Sequence, residues 1–355
     1  MSTGARSEAS NESKNGSFVK GCLVTIVVLG ALGALCFVAL IAALVLSAVA
    51  GTGAGPSGPV QLRETRLSGP SGAPKVAVIP VQGVIHGGIS SGTELTPVNL
   101  TIARLERAGR DSSVKGVLLV VDSPGGGITA SDVLHRRIKQ FREGPEGKPV
   151  VVLMGDVAAS GGYYIAAPAD KIVAHPTTIT GSIGVMMPLY DLTGLMENVG
   201  VRDESITTGP FKDIGSPFVE KSEEQRRKER EILRGIIDSM YERFIDVVAK
   251  GRGLEPAAVR EVADGRIFTS AVAKEEGLID MIGYRSDAVG ALKEISGTEE
   301  VRLVEYRRVI SMSDVIASFA SGPELNVRLP GGMEMLPCSR PMYLWLPPGR
   351  KSGAR

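Results

Sequence analysis

The stretch PVVVLMGDVAASGG, residues 149–162, decides the fold class of this chain. Its first half is a continuous apolar run rich in valine, which is typical of a strand buried on both faces. Small residues then end the strand. A second stretch of this kind, GVLLVVDSPGGG, lies at residues 116–127, and shorter apolar runs begin near residues 75 and 171. Segments with helical spacing alternate with these strands, which predicts an α/β fold with largely parallel strands.

Residues 222–250 have the pattern of one long helix. Ser222 and Gln225 have the spacing of a capping box, and Gly251 and Gly253 predict the end of the helix. Its apolar stripe is formed by Ile232, Ile236, Met240 and Phe244. At about 1.5 Å per residue, such a helix is long enough to extend beyond one compact unit and pack on a neighbouring subunit. The alternative is that it packs only within its own subunit and that the protein is a monomer.

Residues 21–50 carry no charged side chain. As a helix this run would reach roughly 45 Å, more than the ~30 Å hydrocarbon core of a bilayer, so it predicts a transmembrane anchor. A cleavable signal peptide is the alternative, because residues 48–50 (AVA) resemble a cleavage site, but its apolar core is only about 7–15 residues long. Lys14 and Lys20 precede the run, and the next basic residue is Arg63. This bias predicts a cytoplasmic N-terminus, with the rest of the chain outside.

The predicted organisation therefore has five parts. It comprises a cytoplasmic tail at 1–20, the anchor at 21–50, a linker rich in Gly, Pro and Ser at 51–74, a folded domain at 75–308 and an irregular tail at 309–355.

Composition excludes several classes of protein. The 40 basic and 39 acidic side chains give a net charge of +1, which does not favour nucleic acid as a partner. The three cysteines form no CxxC pair, and the three histidines form no HExxH motif. The sequence predicts no metal and no cofactor.

Ser160 follows a predicted buried strand and begins a short helix. A serine in this position is a candidate nucleophile, although a helix N-cap is the commoner role. Ala158 excludes the GxSxG elbow of α/β-hydrolases. The glycine loop at residues 122–127 lets backbone N–H groups approach a ligand, as an oxyanion hole requires, or it is a plain turn between a strand and a helix.

Lys212 is the candidate base for this serine. A lysine accepts a proton only when its amine is neutral, which requires apolar surroundings such as Phe211 and Ile214. The alternative is an exposed loop lysine paired with Asp213.

Four segments resemble the signal peptide peptidase A, or protease IV, family. They are DSPGGG at 122–127, MGDVAASGGYYIAA at 154–167, TGSIGV at 180–185 and FKDIGSP at 211–217, and they occur in the family's order. The spacing from serine to lysine, 212 − 160 = 52, resembles that of the short, single-repeat bacterial members. The resemblance identifies residues 75–308 as a Ser-Lys protease domain.

The resemblance implies a role for each site residue. Ser160 is the nucleophile, Lys212 is the general base, and Ser182 orients the lysine amine. The N–H groups of Gly126 and Gly161 are the oxyanion donors. The implied fold is the ββα spiral shared by Clp protease and the crotonases, preceded here by the transmembrane helix.

The implied function is that of a serine endopeptidase in the cytoplasmic (inner) membrane. Its substrates would be cleaved signal peptides and other apolar peptides, and its other partners the lipid bilayer and further copies of itself in a homo-oligomeric ring. Apolar substrates require an apolar cleft. The side chains expected to line it are Val84, Ile85, Ile128 and Tyr163 or their neighbours.

Three other functions compete with this one. In a Ser-His-Asp protease of the Clp type, the histidine would fall at Val185, and His175 lies next to Pro176, so this triad is disfavoured. A crotonase-like acyl-CoA enzyme would use the glycine loops but would need neither Ser160 with Lys212 nor an anchor. A non-catalytic membrane scaffold would need none of these residues.

Overall fold

The computed structural model describes residues 32, 35–40, 60–87, 96–145, 147–309 and 342–344. The chain forms two compact units, Met1–Ser57 and Gly58–Arg355. In the first unit, Leu32 and residues 35–40 are helical. Most of the predicted anchor lies outside the described residues, and no helix among those described combines the length and the apolarity needed to cross a bilayer.

The described part of the second unit contains eleven strands and eight helices. The strands are β1 (Leu62–Ser68), β2 (Lys75–Gln82), β3 (Val114–Ser123), β4 (Gly125–Gly127), β5 (Val150–Ala159), β6 (Lys171–Ala174), β7 (Ile179–Gly181), β8 (Ile267–Thr269), β9 (Met281–Ile282), β10 (Arg302–Arg308) and β11 (Met342–Leu344). The helices are α1 (Pro97–Arg110), α2 (Ile128–Glu143), α3 (Gly161–Ala166), α4 (Thr193–Val199), α5 (Glu223–Arg252), α6 (Pro256–Val262), α7 (Ser270–Glu275) and α8 (Arg285–Ser296).

Nine of these strands form one sheet in the order β1-β10-β2-β3-β5-β6-β9, and β7 pairs with both β5 and β8. Neighbours are parallel except for the antiparallel pairs β1–β10 and β7–β8. Parallel strands need cover on both faces, which the helices supply. The α/β fold class predicted from the sequence is confirmed.

The two faces of the sheet pack into two apolar clusters. Along β2, Ala77 and Ile79 belong to one cluster, whereas Val76 and Val78 belong to the other, as the two-residue period of a strand requires. The smaller cluster includes Leu292 of α8. Because the central strands are buried on both faces, their ends are rigid supports for the loops that follow them.

β5 changes partners along its length. Its first residues, Val151 to Met154, pair with β6, and its last, Val157 to Ala159, pair with β7. The Asp122 carboxylate accepts a hydrogen bond from the Val157 N–H at 3.2 Å at the point where the pairing of β5 with β3 also shifts register. The sheet therefore bends immediately before Ser160.

Two predicted boundaries need correction. The linker predicted at 51–74 includes residues 62–68, but these residues form β1, which pairs with β10. The prediction is wrong there because β1 is stabilised by a strand far away in the sequence, which local composition does not reveal. In the predicted irregular tail, Met342–Leu344 forms β11, which pairs antiparallel with β4. The rest of that tail after residue 309 lies outside the described residues.

The long helix α5 confirms the capping prediction. The Ser222 hydroxyl accepts from the Gln225 N–H at 3.3 Å, and the Gln225 side chain accepts from the Ser222 N–H at 2.9 Å. Gly251 lies inside the last turn, and Gly253 alone ends the helix in the left-handed region, with φ +66°.

Only part of the apolar stripe of α5 is buried within the subunit. Phe244 is fully buried, whereas Ile232 and Ile236 are 41% and 40% exposed. The first half of the helix therefore presents an apolar face that the described residues do not cover.

Candidate active site

Ser160 adopts a strained backbone conformation at the end of β5. Its φ and ψ are 52° and −116°, a region that non-glycine residues rarely occupy and that costs about 1–3 kcal/mol. Two hydrogen bonds hold it there. Its N–H donates to the Gly181 carbonyl at 2.7 Å, and its carbonyl accepts from the Tyr164 N–H at 2.8 Å. Ser160 stands at the N-cap position of α3 but makes no capping hydrogen bond, which removes the usual structural reason for a serine there.

Ser182 has the same unusual property. With φ 49°, it is the other non-glycine residue of the described chain that has a positive φ. It directly follows Gly181, the residue that holds Ser160, and its own N–H donates to the Arg266 carbonyl at 2.7 Å. The backbone of β7 thus ties both serines to one rigid edge.

Ser160 and Ser182 open onto the same cavity, of about 760 Å³. The wall beyond Ser182 includes Val185, and the facing wall includes Ile237 and Tyr241 of α5. The sequence did not predict that α5 lines this cavity, because the spacing of apolar residues along a helix does not show which part of the sheet the helix packs against.

Gly126 lies where no larger residue fits. A Cβ at this position would approach the Ile85 carbonyl oxygen to 2.1 Å. The Ile85 N–H donates to Gly125 at 2.8 Å, and the Gly127 N–H donates to Ile85 at 2.9 Å. Successive residues of a strand direct their N–H groups to opposite edges, so the Gly126 N–H is directed away from Ile85.

The opposite edge of β4 is paired with β11, in which Tyr343 is the register partner of Gly126. The edge to which the Gly126 N–H points therefore accepts an extended antiparallel strand. An extended peptide bound to this edge would run past the same N–H group.

Gly161 is the first residue of α3, so its N–H belongs to the first helical turn, where no intrahelical partner exists. The next residue brings α3 against the end of β3, because a Cβ on Gly162 would lie 2.6 Å from the Ser123 carbonyl oxygen. The roles of Gly126 and Gly161 as oxyanion donors stay predictions.

Lys212 is not brought to the serines within the described subunit. It lies in a series of turns, where its N–H donates to the Gly209 carbonyl at 3.2 Å, and it is exposed. It does not line the cavity of Ser160 and Ser182. The alternative partner suggested by the sequence, Asp213, is engaged by Lys221 instead.

The carboxylates around the cavity are held by arginines. Asp264 accepts from Arg266 at 2.8 Å, which lowers the pKa of Asp264 to about 2. Hydrogen bonds from Arg260 at 2.6 Å likewise lower the pKa of Glu242. Burial raises the pKa of Tyr241. A carboxylate with a depressed pKa is a weak base, so neither of these two acids is suited to activate a serine.

The histidines near the sheet are engaged elsewhere. The ring of His175 packs edge-on against Tyr284, with ring centroids 5.3 Å apart. His135 packs in the same way on Tyr164 at 5.2 Å, and burial lowers the pKa of His135 to about 4. Neither lines the cavity that contains Ser160.

The expected apolar lining of the cleft needs correction. Tyr163 is fully buried, and its hydroxyl donates to the Leu278 carbonyl at 2.8 Å, so it belongs to the core. Ile85 is buried as well. Neither of them, nor Val84 or Ile128, lines the cavity, whose apolar groups come from the residues after β7, from α5 and from Ala263. The prediction is wrong for Tyr163, because the short helix α3 directs this side chain into the core. For Val84 and Ile128 a place in the substrate cleft stays a prediction.

A strained serine at the end of a central parallel strand is an arrangement that also presents the nucleophile of α/β-hydrolases, although this chain lacks their GxSxG motif. Comparison with known proteins specifies the class of this chain. Residues 142–299 match the model of peptidase family S49, a span that contains Ser160, Ser182 and Lys212.

Several relatives agree with this match. A protein of Enterococcus faecium assigned as signal peptide peptidase SppA is 37% identical over 70% of this chain and 71% of its own length. A protein of Methanocaldococcus jannaschii assigned as a protease is 38% identical over 66% of this chain and 75% of its own. Protease 4 of Salmonella typhi is 34% identical over 74% of this chain and 41% of its own. The chain belongs to peptidase family S49, in the group that includes SppA and protease 4, and is a serine peptidase.

Among solved structures, a point mutant of ClpP1 from Listeria monocytogenes overlaps with a TM-score of 0.39 and 18% identity, over 60% of this chain and 94% of that one. A similarity of this size does not decide whether the strands follow a ββα spiral, so that part of the fold class stays a prediction.

Gly126 offers a direct test of the site with a matched control. Gly126→Ala should lower peptide hydrolysis by about a hundredfold, the usual effect of losing one oxyanion donor, because the new Cβ displaces β4 from Ile85. Gly127→Ala should stay near wild type, since its Cβ would meet only Ala130 Cβ at 3.7 Å and the Ile85 carbonyl oxygen at 3.9 Å. Turnover and melting temperature should be measured for both variants. Equal activity in the two would contradict a role for Gly126.

Proposed function

We propose that this serine peptidase is a membrane-anchored endopeptidase that degrades cleaved signal peptides and other apolar peptides, with Ser160 as nucleophile and Lys212 as general base. The observation that carries the proposal is the conformation of Ser160, which is strained, makes no cap and opens onto a cavity. Strain of this kind persists where surrounding structure enforces it, and it is concentrated at active sites.

The chemistry follows from the residue types. The neutral Lys212 amine takes the proton of the Ser160 hydroxyl as its oxygen attacks the scissile carbonyl carbon. The N–H groups of Gly126 and Gly161 stabilise the oxyanion of the tetrahedral intermediate. As the peptide C–N bond breaks, the lysine returns the proton to the leaving amine, and an acyl-enzyme remains on Ser160. A water molecule, activated by the same amine, then hydrolyses the acyl-enzyme.

The acids Asp264 and Glu242 have depressed pKa values, and the rings of His175 and His135 pack against tyrosines. We therefore assign the role of base to a lysine that reaches the cavity from outside it. Ser182 supports the same mechanism, because it shares the cavity and is held in a fixed backbone conformation from which it can orient an arriving amine.

Lys212 is exposed and does not line the Ser160 cavity of its own subunit, which supports completion of the dyad by assembly. We infer that the lysine serving one Ser160 comes from an adjacent subunit of a homo-oligomeric ring. The uncovered apolar face at Ile232 and Ile236 supports this, since α5 also forms a wall of the Ser160 cavity. A neighbour that packs on this helix would lie beside the cavity.

An extended peptide fits the substrate role. β11 pairs with the edge of β4 at Gly126, and a substrate strand would bind along the same edge in its place. The apolar groups Val185, Met186, Ile237 and Tyr241 in the cavity favour apolar side chains. Relatives named signal peptide peptidase favour peptides of that origin over the acyl-CoA substrate of a crotonase-like enzyme or the role of a scaffold.

The dyad is tested by single substitutions. Ser160→Ala and Lys212→Ala should each reduce hydrolysis of an apolar peptide by at least about a thousandfold. The first removes the nucleophile and the second removes the base, and neither group is effective without the other. Lys212→Arg should not restore activity, since a guanidinium stays protonated. Turnover of a fluorogenic peptide measures all three.

Lys228→Met, which removes an exposed lysine of α5, is the control and should keep wild-type turnover. Substantial turnover in Lys212→Ala would exclude the Ser-Lys mechanism. A preference for folded, charged substrates would instead reject the substrate assignment and leave the dyad standing.

Assembly of the dyad between subunits is tested by complementation. Co-expressed Ser160→Ala and Lys212→Ala chains should regain about a quarter of wild-type turnover, because random assembly unites an intact serine with an intact lysine in one site out of four. If both residues come from one chain, no site in the mixture is intact, and turnover would stay at the level of the single variants.

The anchor is tested by topology. A reporter that is active only outside the cytoplasm should be active when fused after Arg308, because the lysines before residues 21–50 retain the N-terminus inside. The same reporter fused before residue 21 should be inactive. Deletion of residues 1–50 should release the peptidase from the membrane fraction. A fusion after Arg308 that is active only in the cytoplasm would contradict the proposed orientation.

A further inference from the structure

The segment that carries Lys212 is tied to α5 by a second lysine. Lys221 precedes the helix, and its side chain is only 7% exposed. Its amine donates to the backbone carbonyl of Asp213 at 2.8 Å and to the carboxylate of Glu229 on α5. The carboxylate of Asp213 lies 3.8 Å from the same amine. One amine therefore joins the residue next to Lys212 to the helix.

The backbone carbonyl of Asp213 accepts two hydrogen bonds. Besides the Lys221 amine, it accepts the Ser216 N–H at 2.9 Å, which closes the turn that follows Lys212. On the other side of Lys212, its own N–H donates to Gly209 at 3.2 Å. Local turns thus shape the loop, and within the described part of the chain the Lys221 side chain ties Asp213 to Glu229 of α5.

Lys221 and its partner on α5, Glu229, are also fixed by further contacts. Glu229 is buried, and the main-chain carbonyl of Lys221 accepts from the Arg226 side chain at 3.1 Å. Arg226 in turn donates to Asp191 at 2.5 Å, just before α4. A buried charge pair on a rigid helix holds its partners in one geometry at a cost in desolvation, which makes it better suited to specify a position than to add stability.

The helix that receives this tie is the helix that forms a wall of the Ser160 cavity, through Ile237 and Tyr241. The distance between the lysine loop and that wall is therefore set by Lys221 and Glu229. This holds for either origin of the base, because a neighbouring subunit presents its Lys212 from the same loop and the same helix.

We propose that Lys221, held by Glu229, is a positioning residue that places Lys212 for catalysis by tethering the Asp213 carbonyl to α5. The proposal rests on the proposed role of Lys212 as the base. Lys221 does not itself act on the substrate, because its amine is engaged by Asp213 and Glu229 and does not line the Ser160 cavity.

The first test is Lys221→Met in the full-length protein, assayed with an apolar fluorogenic peptide. The turnover number should fall at least about tenfold while KM stays within about twofold, since a misplaced base slows the chemical step without changing substrate contacts. The matched control is Lys228→Met, which breaks an exposed pair with Glu224 on the same helix and should change neither value.

Lys221→Met leaves Glu229 buried without its partner, so loss of stability must be separated from loss of position. The double variant Lys221→Met/Glu229→Leu leaves neither charge of the pair uncompensated, and it still lacks the tether to Asp213. Its melting temperature should recover toward wild type, while its turnover number stays low. If turnover recovers together with the melting temperature, the pair is only structural and the proposal is wrong.

Lys212→Ala, measured in the same assay, distinguishes a failure of the Ser-Lys mechanism from a failure of the positioning role of Lys221. If it keeps substantial turnover, the Ser-Lys mechanism fails and the positioning role fails with it. If it is inactive while Lys221→Met turns over like wild type, the dyad stands and only the positioning role is overturned.

Discussion

The hydrogen bond from the Ser160 N–H to the Gly181 carbonyl, 2.7 Å long, is the interaction on which the site depends. It holds a serine at φ 52°, where an L-residue would not stay without support. The bond exists because β5 leaves β6 and pairs with β7 before it ends. Ser182, one residue beyond Gly181, takes its own strained conformation from the same edge. One bend in the sheet therefore sets the directions of both serines.

Close backbone packing supplies the second constraint. Gly126 touches Ile85 and Gly162 touches Ser123 so closely that a Cβ at either position would overlap a carbonyl oxygen. The first approach packs β4 against Ile85, and the second packs the start of α3 against the end of β3. The N–H groups of Gly126 and Gly161 are the proposed oxyanion donors beside Ser160. Backbone donors of this kind are already oriented before the substrate arrives, which is the property that stabilises an oxyanion.

The helix α5 links the two halves of the proposed dyad. Its middle forms a wall of the cavity at Ile237 and Tyr241, and Glu229 in its first half receives Lys221, which holds the loop of Lys212. Its remaining apolar surface at Ile232 and Ile236 is uncovered within the subunit. A helix longer than the core it packs on thus supplies a cavity wall and a fixed point for a loop, and it leaves apolar side chains exposed.

The sequence by itself determined the α/β class, the caps of α5 and the serine at the end of β5. Each of these depends on residues close together in the chain: apolar runs bounded by small residues, the pair Ser222 and Gln225, and the position of Ser160 directly after a strand. The order of the segments in the chain was also sufficient to identify the peptidase family.

Only the tertiary structure decided the rest, because it depends on partners that are distant in sequence. β1 exists through pairing with β10, and the cavity wall exists because α5 faces the end of β7. Tyr163 is buried in the core, where its hydroxyl donates to Leu278, a partner that no local pattern indicates. The position of Lys212 outside the cavity likewise depends on its loop, which Lys221 holds through Asp213 and Glu229. No periodic sequence pattern predicts the contact between Lys221 and Asp213.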